Sequence, residues 1–216
     1  SKKAGTIGNV GTTSFFPSKN LGCYGDGGAI FTNDDDLAHK LRGIVNHGMY
    51  KRYYHDEVGV NSRLDSIQAV VLSAKLPNLD AYCSARRNAA KYYNNAFKNS
   101  KNIITPKVTY NCGKNGNEIC DTCNCHVFHQ YTLNLKGVNR DALVAHLQAN
   151  NIPCGVYYPI PLHNQKAYKD ERYNDADFKV TNTLVTSVIS LPMHTELDNE
   201  QIEFITTTVL NFINGK

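Results

Sequence analysis

In the run Ser14-Phe15-Phe16-Pro17-Ser18-Lys19-Asn20-Leu21-Gly22-Cys23-Tyr24-Gly25-Asp26-Gly27-Gly28, one lysine stands between aromatic residues, hydroxyls and four glycines. The residues leading into it, Val10 to Phe16, are β-branched and aromatic, and Pro17 has no N–H to offer a ladder, so a strand is expected to stop there. The glycines that follow feed Ala29-Ile30-Phe31, the pattern of a tight turn entering a second, buried strand. A lysine amine attacks carbonyls only when burial or cationic company lowers its pKa, and the apolar flank here supplies burial. That is what a Schiff-base lysine requires. No GxxxxGK[ST] or GxGxxG pattern occurs, so the glycines do not read as a nucleotide phosphate loop. On these residues alone, a solvated loop lysine beside a structural glycine turn is the plainer reading, and it stands at this point.

Working outward, Asp34 to Asp36 open a helix in which Leu37, Leu41, Ile44 and Val45 share a face, with Gly48 as its stop. A second helix is expected over Leu64 to Leu76, with Leu64, Ile67, Val71 and Leu72 inward and Gln68 as the polar exception, ended or bent by Pro77. A third, from about Leu79 to Lys98, carries Arg86, Arg87, Lys91 and Lys98 and reads as solvated on one side. Asn99 to Pro106 reads as a linker, which places a domain boundary between 1–99 and 100–216. Beyond it, the alternation of Val127, Tyr131, Leu133 and Leu135 with polar residues predicts a half-buried strand. Asn139 caps a helix with Leu143, Val144 and Leu147 inward. Cys154, Val156 and Tyr158 predict a short strand and Val188 to Leu191 another. The last helix starts at Asp198 with Gln201 three residues on, a capping-box variant, and buries Ile202, Ile205, Val209, Phe212 and Ile213.

The chain has 216 residues, 41% hydrophobic and 19% charged, the composition of a folded globular protein. Its net charge of +4, from 23 basic and 19 acidic residues, is dispersed rather than striped, which argues against a nucleic-acid partner. No run approaches 18 apolar residues, so no membrane span is expected, and the first residues are not followed by the apolar stretch of a secretory signal. The expectation is a cytoplasmic protein whose seven cysteines are free thiols or metal ligands. Cys112, Cys120, Cys123 and Cys125, followed by His126, crowd a Gly/Asn-rich insertion over 110–126. Four thiols at such spacing resemble a small zinc knuckle, although the one-residue gap before Cys125 strains simultaneous coordination. Structural zinc and free or oxidised loop thiols are both open readings.

Three ordered motifs resemble the pyridoxal-phosphate (PLP) sugar aminotransferases of the DegT/DnrJ/EryC1/StrS family. They are the lysine segment above, Gly59-Val60-Asn61-Ser62-Arg63-Leu64-Asp65-Ser66-Ile67-Gln68-Ala69, and Tyr157-Tyr158-Pro159-Ile160-Pro161-Leu162-His163-Asn164-Gln165, with Leu191-Pro192-Met193-His194 in keeping. The resemblance implies an α/β protein of PLP-dependent transferase fold type I, of which this is the C-terminal portion: the end of a large α/β domain, then a small α+β domain. It implies that Lys19 is the Schiff-base lysine and proton shuttle, that Ser14 holds the cofactor phosphate, and that Asn61 reaches that phosphate from the neighbouring subunit of a homodimer with shared active sites. Arg63 would meet the diphosphate or carboxylate of a nucleotide-sugar substrate, and Tyr157, Tyr158 and His163 would line the sugar pocket. The branch it is most similar to aminates UDP-2-acetamido-2-deoxy-ribo-hexuluronate, with glutamate as amino-acid donor, in the biosynthesis of surface polysaccharides such as lipopolysaccharide. The different-class alternative is a non-catalytic sugar-nucleotide or protein-binding fragment stabilised by zinc at the Cys cluster. The residues expected to grip the pyridine ring would precede Lys19 in a longer protein, so the portion alone is not expected to be competent.

Overall fold

The computed structural model describes residues 2–108 and 125–215. The chain divides into two compact units, Ser1–Asp80 and Ala81–Lys216.

In the first unit, strand β1 (Gly11–Ser14) pairs antiparallel with β2 (Gly28–Phe31), Gly11 opposite Phe31 and Ser14 opposite Gly28. Both ends of the lysine run are thereby fixed to one hairpin. The second strand was expected to be buried, but Ile30 and Phe31 are 44% and 48% exposed. The pair forms a two-stranded sheet that, among the described residues, no further strand joins. Helix α1 (Asp35–Ile44) starts where the acidic triplet predicts, with Asp34 Oδ1 accepting from Leu37 N at 2.9 Å. A small hairpin follows, β3 (Met49–Lys51) with β4 (Tyr54–His55). Helix α2 (Ser66–Lys75) is capped by Asp65 Oδ1, which accepts from Ile67 N at 2.7 Å. Of the inward face expected for α2, only Leu72 is buried, whereas Ile67 and Leu64 are exposed. A single 3₁₀ turn through Pro77 (Leu76–Asn78) then leads into α3 (Leu79–Phe97), so the proline bends the path rather than ending it.

The second unit is organised around a three-stranded antiparallel sheet in the order β5-β6-β7, formed by β5 (Ile103–Ile104), β6 (Tyr131–Leu135) and β7 (Val188–Leu191). Alternate β6 residues Tyr131, Leu133 and Leu135 are buried, as their period of two dictates. Against them pack Tyr93 and Phe97 of α3, Leu143 and Leu147 of α4 (Arg140–Ala149), and Ile202, Ile205 and Val209 of α6 (Asn199–Ile213). The second half of α3 lies in this core, and the compact units part at Asp80/Ala81. The Asn99–Pro106 stretch, read as a linker, supplies β5, which pairs Ile103 with Leu135. The α6 capping box is complete: Asp198 Oδ1 accepts from Gln201 N at 2.7 Å and Gln201 Oε1 from Asp198 N at 3.1 Å.

Two further expectations are corrected. The Cys154–Tyr158 run forms only a bridge between Gly155 and Ser190, since Pro153 and Pro159 have no N–H with which to extend it. Helix α5 (Lys179–Ser187) was not foreseen, because Val180, Thr181, Thr183, Val185 and Thr186 favour strand by propensity. Among the described residues no helix is long and apolar enough to cross a membrane.

The α3 arginines, expected in solvent, are buried, Arg86 to 7% and Arg87 to 8% exposure. Arg86 Nη1 donates to the carbonyls of Phe128 (3.3 Å), His129 (3.2 Å) and Met193 (2.9 Å), joining the chain before β6 to the chain after β7. A guanidinium can satisfy several carbonyls at once, which makes its burial tolerable even though desolvation lowers its pKa. Arg86→Ala is expected to cost about 3 kcal/mol, since it orphans buried carbonyls that had a charged donor. Arg86→Lys should recover only part of that, a difference read from the two urea midpoints.

Candidate active site

The lysine loop is built by backbone bonds that fold it onto its own strands. Phe15 N donates to Gly27 O at 2.7 Å, Lys19 N to Phe16 O at 2.8 Å, and Cys23 N to Phe15 O at 2.8 Å. Glycine is required where these strands close: a Cβ on Gly22 would lie 2.4 Å from Pro17 O, and one on Gly28 2.8 Å from Thr13 O. Side chains complete the frame. The fully buried Cys23 places Sγ 2.9 Å from both Phe15 O and Gly25 O, Gln68 Oε1 accepts from Tyr24 N at 2.8 Å, and Lys75 Nζ donates to Gly22 O at 2.7 Å. Lys19 is half-buried at the crown of this loop. Ser14, at the end of β1, accepts from Phe16 N through Oγ at 3.2 Å, which leaves its hydroxyl proton for an oxyanion.

The Asn61 segment is threaded over the C-terminal end of α1. Val60 N donates to Ile44 O at 2.8 Å and Ser62 N to Val45 O at 2.9 Å, and a Cβ on Gly59 would lie 2.2 Å from Gly48 N. Arg63 Nε donates to Asn61 Oδ1 at 3.0 Å, so the amide NH₂ of Asn61 and the outer guanidinium nitrogens of Arg63 face outward as donors. Both residues line a cleft of about 730 Å³ with Asp26, Gly28 and Arg42. Ser14 and Lys19 are not among its walls.

In the second unit, the three residues expected at the sugar do not share one cavity. Tyr157 lines a small hollow of about 250 Å³ with Cys154, Met193 and His194, its ring lying against Gly155. Tyr158 is 71% exposed and meets Tyr157 edge-on, centroids 5.6 Å apart. His163 borders a separate hollow of about 660 Å³ with Tyr168, Arg172 and Tyr173. Its ring stacks on Phe178 at 4.1 Å, and its Nε2 stands 3.0 Å from Asp175 Oδ1. Asn164 Nδ2 donates to the same oxygen at 2.8 Å, and these partners, Asn164 foremost, hold the Asp175 carboxyl below its ordinary range. Asp175 and Phe178 thus orient His163, and no sequence motif announced them. Cys112, Cys120 and Cys123 of the zinc expectation lie outside the described residues, and Cys125 is exposed. Among the described residues no group of three or more His, Cys, Asp or Glu side chains could hold a metal ion.

The lysine loop and the Asn-x-Arg segment stand in a mixed α/β chain whose fold, by its solved structural neighbours, is that of the fold type I PLP-dependent transferases. The sequence pattern of the DegT/DnrJ/EryC1/StrS aminotransferase family matches residues 1–210, and the chain belongs to that family, whose cofactor is PLP. Over 210 residues it is 42% identical to the UDP-2-acetamido-2-deoxy-3-oxo-D-glucuronate aminotransferase of Pseudomonas aeruginosa, covering 97% of this chain and 54% of that protein. It is 41% identical over 211 residues to the UDP-N-acetyl-3-dehydro-alpha-D-glucosamine 3-aminotransferase of Acidithiobacillus ferrooxidans, covering 98% and 53%. The crystal structure of a DegT DnrJ EryC1 StrS aminotransferase from Brucella abortus superposes with a TM-score of 0.81 at 38% identity, over 96% of this chain and 52% of that one. The chain spans about half the length of the curated relatives it matches.

The residues present fit one side of the family's cofactor. Were that cofactor bound here, the loop would offer the Lys19 amine to its aldehyde and the Ser14 hydroxyl to its phosphate.

Proposed function

We propose that the protein to which this chain belongs transfers an amino group from an amino acid, glutamate by preference, to the keto carbon of a UDP-linked sugar, with PLP as cofactor. The framed lysine loop of a chain that belongs to this aminotransferase family carries this reading, because it presents a half-buried amine on a turn whose path is fixed by backbone and side-chain bonds. The cofactor, when bound, supplies an electron sink for the carbon whose proton is moved. Lys19 Nζ would hold the cofactor and, once released, would accept and return the proton that is moved. Ser14 Oγ donates to the phosphate. Asn61 Nδ2 donates to the same phosphate in the partner subunit of a homodimer, and the Arg63 guanidinium takes the diphosphate or a sugar carboxylate bidentately. Tyr157, Tyr158 and His163 are the residues proposed to contact the sugar, with His163 oriented by Asp175. The sequence similarity to the two UDP-sugar aminotransferases supports the substrate class, and a cytoplasmic role in surface-polysaccharide or lipopolysaccharide synthesis is part of the proposal.

The test is isotopic. With the full-length protein, PLP, ¹⁵N-glutamate and a UDP-3-keto-N-acetylhexosamine or its uronate, mass spectrometry should find ¹⁵N in the sugar nucleotide and an equivalent amount of 2-oxoglutarate. Formation of neither product with either sugar would refute the proposal.

A further inference from the structure

Three side chains that take no part in the proposed chemistry hold consecutive peptide units of the lysine loop. Lys75 binds the carbonyl of Gly22 and lies 4.9 Å from the Tyr24 ring centroid, Gln68 takes the N–H of Tyr24, and the Cys23 thiol bridges the carbonyls of Phe15 and Gly25. Two of these, Gln68 and Lys75, come from one helix, α2, 44 and 53 residues away in sequence from the groups they hold. The fit is close: a Cβ on Gly25 would lie 3.0 Å from Gln68 Nε2, and one on Gly27 would lie 3.1 Å from Cys23 Sγ. Cys23 has no solvent exposure, so its thiol cannot exchange its carbonyl partners for water.

We propose that Cys23 and Gln68 are positioning residues for Lys19, setting the distance and direction from which its amine reaches the cofactor; the inference rests on the reading of Lys19 as the cofactor lysine. The physical ground is that the loop returns from Lys19 to β2 through residues 22–28, and the thiol and the amide add to the backbone bonds at Phe15 and to the Lys75 amine in tying that return to Phe15 and to α2. Loosening the return arm releases the crown. A reacting group displaced by about 1 Å costs on the order of 10²-fold in rate, so a partial release should be visible in kcat well before the fold is lost.

The experiment uses the full-length, cofactor-loaded protein with Cys23→Ala, Cys23→Ser, Gln68→Leu and Gln68→Glu. Serine keeps a donor at 23 and glutamate keeps an acceptor at 68, whereas alanine and leucine do not. Cys23→Ala and Gln68→Leu are each expected to shift the pH midpoint of the visible absorbance of the lysine-bound cofactor by about half a unit, because the environment of Nζ changes. They should also lower kcat about tenfold with KM within about twofold, the pattern of a transition-state effect. Cys23→Ser and Gln68→Glu should restore most of both. A purely structural role would lower the urea midpoint and leave the absorbance midpoint and kcat at the parental values, and that result would overturn the proposal. Should Cys23→Ala fail to fold, Gln68→Leu, altered on a partly exposed helix face, decides by the same readouts. Borohydride reduction of the unsubstituted protein separates the two levels. A label on a lysine other than Lys19 overturns both the reading and this proposal, whereas unaltered variants around a labelled Lys19 overturn the proposal alone.

Discussion

In the full-length protein, Lys19→Ala is expected to lose amino transfer by at least about 10²–10⁴-fold, the range for removing one positioned proton-transfer group, and by more because the same amine holds the cofactor. Borohydride reduction of the parent protein with PLP should attach one pyridoxyl group per chain, and peptide mapping should place it on Lys19. The reduced Lys19→Ala protein should carry none. Lys19→Arg serves as the control for charge, since guanidinium keeps the cation but is not a nucleophile at neutral pH; it should be as inactive as alanine. The loop geometry makes the prediction specific to this residue. Lys19 stands on a turn closed by Phe15 N to Gly27 O and Cys23 N to Phe15 O. Lys40, by contrast, stands on α1 with its amine 3.9 Å from Glu57, and Lys51 lies over the Tyr54 ring. An adduct on either of these, or activity within tenfold of the parent in Lys19→Ala, would remove the basis of the functional reading.

Features whose cause is local were legible in the sequence. The Asp34 and Asn139 caps, the Asp198–Gln201 box and the alternation of Tyr131, Leu133 and Leu135 all depend on residues within a few positions of one another, and all are found. The misread features depend on distant partners. Arg86 looks like a surface charge until the carbonyls of Phe128, His129 and Met193 are brought to it, the last 107 residues away. Gln68 stood out as the polar residue on an apolar helix face, but its reason is the N–H of Tyr24. Asp175, which orients His163, lies in a stretch of short 3₁₀ turns with no periodicity to read. The exposure of Ile30 and Phe31 has the same character, since burial of a strand is decided by what lies over it, not by its own residues. The motif residues themselves were legible only through resemblance: taken singly, Asn61 is a turn residue and Arg63 a charge before a helix.

Mixing two inactive full-length variants, Lys19→Ala and the double Asn61→Ala, Arg63→Ala, is expected to restore activity that neither has alone. Within the first unit, Asn61 and Arg63 line a cleft with Asp26, Gly28 and Arg42, and on the proposed reading their remaining N–H donors serve the lysine site of the partner chain. An isologous dimer meets that condition, because each chain then lends the same donors to its partner and the cofactor phosphate receives hydrogen bonds from both sides of the boundary. If equal amounts of the variants exchange subunits at random, about half the dimers are mixed, and each mixed dimer has one site with every defect and one with none. About a quarter of the parental activity should therefore return, in proportion to the mixed dimer counted by native mass spectrometry. The return should be lost if either variant is also given the other's substitutions, since no whole site can then form. If Lys19, Ser14, Asn61 and Arg63 served one site within a single chain, every site in the mixture would lack a part, and activity would stay at the level of the separate variants however completely the subunits exchange.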